Sequence, residues 1–107
     1  GAGSLTVIAT VFADGEDEGS ASRAVSTTET SLVTLDESLA EEGIVPALSF
    51  ADCRVVGEES LLAERELEGL RHLRTKLRDM VPPEAAAYLR ERIEASASNQ
   101  ALLENLA

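Results

Sequence analysis

A chain of 107 residues has room for one core of moderate volume, which excludes two catalytic domains. Its formal charge of −11, from 20 acids against nine Lys and Arg, argues against autonomous binding to nucleic acid or an anionic membrane, since phosphate contacts need clustered cations. With 44% hydrophobic but only 3% aromatic residues, the interior must be filled by Leu, Val, Ile and Ala.

The first element is "SLTVIATVFAD". Leu5, Val7, Ala9 and Val11 alternate with Ile8 and Phe12, so both faces of the predicted strand over residues 5–13 are apolar. That pattern suits a strand covered on both sides, in a parallel or mixed sheet with more strands than this half of the chain supplies. Asp14-Gly15 ends the strand in a turn, and "ASRAVSTTETS" reads as a polar loop with a short edge strand near Val25. "SLVTL" predicts a second strand. Asp36 then caps a short helix through Ala40, and Gly43 supplies its left-handed exit. In "IVPALSF", Pro46 confines any strand to an edge.

From Glu58 the period changes. Leu67, Leu70, Leu73, Leu77, Met80 and Val81 form one face of a helix predicted over 58–81. Pro82-Pro83 ends it and opens the next helix, with Glu84 in its first turn and Ala86, Leu89 and Ile93 on one face. "SASN" breaks that helix, and "QALLENL" closes the chain with Leu102, Leu103 and Leu106. Charge divides a little earlier, near Cys53: residues 1–53 hold one basic residue, Arg23, against ten acids, and residues 54–107 hold eight against ten. The division is therefore 1–57 for the strand-bearing part and 58–107 for the helical part.

The residues assign no catalytic, cofactor-binding or metal site. Lys76, the only lysine, follows Thr75 rather than a glycine, so no phosphate-cradling loop is present. Asp14, at the end of an apolar strand, imitates an Mg²⁺ ligand of nucleotide hydrolases but is more simply an Asp-Gly turn. Asp14, Glu16 and Glu18 begin like a calcium loop whose twelfth position falls on Val25 instead of Glu. His72 is the only histidine and has no Cys or His at ligand spacing, so it reads as a helix-surface residue. Cys53 cannot form an internal disulfide and reads as a small filler near a strand end. The Ser and Thr residues of 26–31 have no activating base. Arg71, Arg74 and Arg78 share a helical face, read as its solvated side, with Lys76 on another. No apolar run approaches membrane-spanning length and residues 1–5 lack signal-peptide character, so a cytoplasmic chain is expected.

Residue order goes further than composition. "GSLTVIAT", then a strand followed by "LAEEGIVPAL", then "EESLL", "LRHLRTKLRDMVPPEAAAYLRERI" and "SNQALLENL" resemble the C-terminal end of transcription termination factor Rho over nearly the whole chain. The resemblance implies an α/β fold: the last strands of a RecA-like motor core, joined by a short helix, with a Pro-Ala segment leading out to a small helical array. It also implies a bacterial, cytoplasmic parent, an RNA-dependent ATPase that translocates on transcript as a hexameric ring. ATP, Mg²⁺ and RNA would be held by regions preceding Gly1. This chain would complete the core and meet neighbouring subunits, without catalysis of its own.

The sequence departs from the family where "ASRAVSTTETS" replaces an acidic-aromatic stretch and Lys-Gly-Thr-Gly. It departs again where Asp36-Glu37 replaces Ser-Arg, and where "CRVVGEE", with Arg54, replaces Ser-Gly-Thr-Arg. A Rho-like paralogue or another ring ATPase of the F-type or secretion class remains open. The competing reading is a stand-alone acidic domain that binds a basic protein through loop 14–18 and Glu41-Glu42. The unpaired apolar strand further implies self-association of the chain.

Overall fold

The computed structural model describes residues 3–11 and 28–107. Its elements are β1 (Ser31–Leu32), α1 (Glu37–Glu41), a 3-10 turn at Phe50–Asp52, β2 (Arg54–Val55), a 3-10 turn at Glu58–Ser60, α2 (Glu64–Arg78), α3 (Pro82–Glu94) and α4 (Asn99–Leu106). The described residues thus form a small mixed α/β domain, mostly helical, with one two-stranded antiparallel sheet.

β1 and β2 pair Ser31 with Val55 and Leu32 with Arg54. The ladder continues beyond the strands through the Leu35–Leu48 bridge, with Asp36 N–H donating to Ala47 C=O at 2.9 Å. Between the two stretches the Phe50–Asp52 turn interrupts one side. Opposite it, Thr34 C=O accepts from Ser49 N–H at 2.9 Å, while Thr34 N–H finds Cys53 Sγ at 3.4 Å. Half-buried Cys53 is therefore more than a filler, because its sulfur accepts from a backbone donor that the interrupted ladder would otherwise strand.

α1 forms where its sequence predicts it. The Asp36 carboxylate accepts from Ser38 N–H at 2.8 Å and Leu39 N–H at 3.4 Å, satisfying two of the helix's free donors. Gly43, at φ 73°, turns the chain in a left-handed conformation that costs glycine little, and Ile44 N–H then returns to Leu39 C=O at 2.9 Å. This places Leu39 in the core at 1% exposure.

The core is Leu39, Leu70, Leu73, Leu77 and Leu102. α2 supplies three of these, and its longest contact is with α4. Gly69, buried on the same face, permits that contact. α2 is shorter than the predicted span of 58–81. Glu58–Ser60 is a separate turn, and Val81 is extended and 64% exposed, because the residue before Pro82 is barred from the helical region. Glu66 accepts from Ala63 N–H at 2.8 Å at the start of α2, and Ser98 Oγ accepts from Ala101 N–H at 3.1 Å at the start of α4.

Over its described part, residues 5–11, the strand predicted for 5–13 is not formed. Residues 3–11 have no regular structure, with Leu5 89%, Val7 77% and Ile8 91% exposed. A strand apolar on both faces needs hydrogen-bonding neighbours and two covering layers. The two-residue ladder of β1 and β2 offers neither. Residues 12–27, including Asp14, Glu16, Glu18, Arg23 and the edge strand expected near Val25, lie outside the described residues.

Candidate functional site

Residues that the sequence places on one basic face do separate work. Arg71 is exposed, whereas Arg74 is drawn inward to a bidentate pair with Glu58, Nη2 donating to Oε2 at 2.9 Å. The same Nη2 also donates to Cys53 C=O at 3.1 Å, and Arg78 Nη2 donates to Ala51 C=O at 3.2 Å. The expected solvated face is corrected at Arg74 and holds at exposed Arg71 and Arg78, while Arg74 and Arg78 both fasten the 50–58 segment to α2. The Glu58 carboxyl lies below its ordinary range because Arg74 donates hydrogen bonds to its charged form, with partial burial opposing. Arg74 is raised in turn by the same contact.

Beside this clamp, α1, the 48–52 segment, the end of α2 and the start of α3 enclose a recess of about 200 Å³. Leu39, Leu48, Leu77, Ala86 and Leu89 supply apolar lining, and Asp36, Asp52 and Arg78 supply charge. Asp36 is committed to capping α1, and its carboxyl is lowered chiefly by the Ser38 hydroxyl hydrogen bond. Asp52 accepts from Ser49 Oγ at 2.6 Å. With both carboxylates engaged and no histidine in the lining, the recess suits an apolar side chain better than proton transfer.

His72 is exposed on α2, as predicted, with Nδ1 3.0 Å from the Leu106 carbonyl oxygen. It stitches α2 to the end of α4. Among the described residues, no group of three or more His, Cys, Asp and Glu is placed to hold a metal ion. No helix among them is long and apolar enough to cross a membrane.

A cluster that sequence reasoning missed lies where α2 meets α3. Lys76 Nζ stands 4.8 Å from the centroid of the Tyr88 ring and the Arg92 guanidinium 5.2 Å from it, both within cation–π range. The Tyr88–Arg92 spacing of four within a helix could have signalled half of it. Lys76 could not have been assigned without the helix packing. The chain matches no protein-family model and no curated protein.

Proposed function

We propose that this chain is the C-terminal part of a Rho-like, RNA-dependent ring ATPase acting in transcription termination, and that it completes the motor core and packs against neighbouring subunits. The observation that carries the reading is the contrast between residues 3–11 and the rest. A β-prone stretch with Leu5 and Ile8 about nine-tenths exposed sits in the same chain as a capped, leucine-cored helical half. Such a stretch would be covered inside a larger sheet with layers on both faces. A strand-bearing segment before an exit helix array is the order that the family resemblance implies. RNA, ATP and Mg²⁺ would be engaged upstream of Gly1, and the bacterial cytoplasm is the compartment this reading requires.

Two measurements test it. The open frame upstream of the Gly1 codon is expected to encode a phosphate-binding loop, and a frame that starts at Gly1 would favour the stand-alone acidic domain. The 107-residue chain alone is expected to show no RNA-stimulated phosphate release from ATP, because it carries no G-x-x-x-x-G-K-[ST] loop. Turnover that survives repurification would overturn this.

A further inference from the structure

Lys76 and Arg92 belong to a chain with 20 acids, yet neither forms an ion pair among the described residues. Both are held on Tyr88 instead. The ring is seated deeply enough that its hydroxyl oxygen is buried without a hydrogen-bond partner. Long cations held against a fixed ring have less rotamer freedom to lose when a partner arrives. The result is a pre-arranged pair of cations on a molecule of net charge −11.

α1 is its opposite. Glu37, Glu41 and Glu42 are exposed and without ion pairs among the described residues, and no basic residue occurs between Arg23 and Arg54. Glu41 and Glu42 stand at the last position and the C-cap of α1, where the helix dipole is negative and acids are disfavoured. Neither gains from the helix dipole there. An external cation would relieve the repulsion.

We propose that the Lys76–Tyr88–Arg92 cluster of one copy docks on the Glu37–Glu41–Glu42 surface of the next. The chain itself supplies both halves of the complementarity. Two molecules of charge −11 can approach because screening over about 8 Å at physiological ionic strength leaves local pairs to decide the contact. A contact between unlike surfaces is heterologous, so it propagates head to tail and closes into a ring when the rotation allows. The inference rests on the ring-subunit reading and names the surfaces that meet.

The test uses the full chain carrying Leu5→Thr and Ile8→Thr, which removes the exposed apolar stretch as a second cause of association. Sedimentation equilibrium at about 0.15 M salt is expected to show self-association that weakens about tenfold at about 0.5 M. K76E/R92E and E37K/E41K/E42K should each be monomeric alone, with folding checked by circular dichroism. An equimolar mixture of the two should associate, because the wild-type contact and its charge-reversed counterpart both form. A monomeric parent, variants that associate like the parent, or a mixture that stays monomeric overturns the docking. An upstream frame without a motor would leave these results standing and remove only the ring reading.

Discussion

Gly69 of α2 lies against the backbone of Leu103 in α4, so close that a Cβ on Gly69 would stand 1.8 Å from the Leu103 carbonyl oxygen and 2.7 Å from its carbonyl carbon. The obstacle is main chain, so no rotamer change can relieve it. Gly69→Ala gains roughly 1 kcal/mol of helix propensity. It must also push α4 outward, and overpacking of this kind costs about 1–3 kcal/mol or more. The expected outcome is a lower urea midpoint and a displaced α4, seen as faster amide exchange at Leu102 and Leu103. An unchanged midpoint would mean that α4 can shift without loss.

The leucine stripe should carry the stability. Leu73 is 1% exposed and Leu77 4%, so truncating either to Ala is expected to cost about 2–5 kcal/mol in equilibrium unfolding. Val81→Ala, at a position 64% exposed, should stay within about 0.5 kcal/mol of the parent. Equal effects at Leu73 and Val81 would contradict the assigned core.

The Glu58–Arg74 clamp should make stability fall in acid. Glu58 has its carboxyl lowered in the folded chain, so its contribution is fully present above the ordinary glutamate value of 4.5 and is lost as pH falls through the folded value below that. Urea midpoints measured against pH should therefore show a gap between parent and Glu58→Gln that is constant above about pH 5 and closes below about 4.5. Arg74→Lys should reproduce much of the loss at neutral pH, because an ammonium cannot make the bidentate pair while also reaching Cys53 C=O. A gap that persists unchanged into strong acid would remove Glu58 as its cause.

Exposed apolar residues 5–11 should have two readable consequences. Their amides are expected to exchange as an open chain in dilute solution, while α2 amides at Leu70, Leu73 and Leu77 stay protected. At high concentration the parent should self-associate more than the Leu5→Thr, Ile8→Thr variant, by a component that salt does not weaken. Full protection of residues 5–11 in a strict monomer would mean that the chain completes its own sheet.

Much of the helical structure was legible in the sequence because its signals act over one turn. Asp36 caps donors two and three residues ahead, Gly43 needs only its own positive φ, and Pro82-Pro83 constrains its neighbour directly. Ser98 and the leucine periods are equally local. The same locality misled at Met80 and Val81, which continue the apolar period after the proline has already ended the helix.

What depended on partners far along the chain could not be read. A run apolar on both faces says that residues 5–11 can serve as a strand, but not that a neighbour is there to pair with them. Arg74 looked like any solvated cation until the fold brought Glu58, 16 residues away, and the Cys53 carbonyl within reach. Gly69 and Leu103 are 34 positions apart, and only the crossing of α2 over α4 leaves no room for a side chain on Gly69. The sequence by itself determined the cap and glycine exit of α1 and the period that turns the leucines of α2 inward, since those are short-range hydrogen bonds and steric limits. The tertiary structure alone decided which charges are clamped, which stand against the Tyr88 ring, and which described apolar stretch is left uncovered.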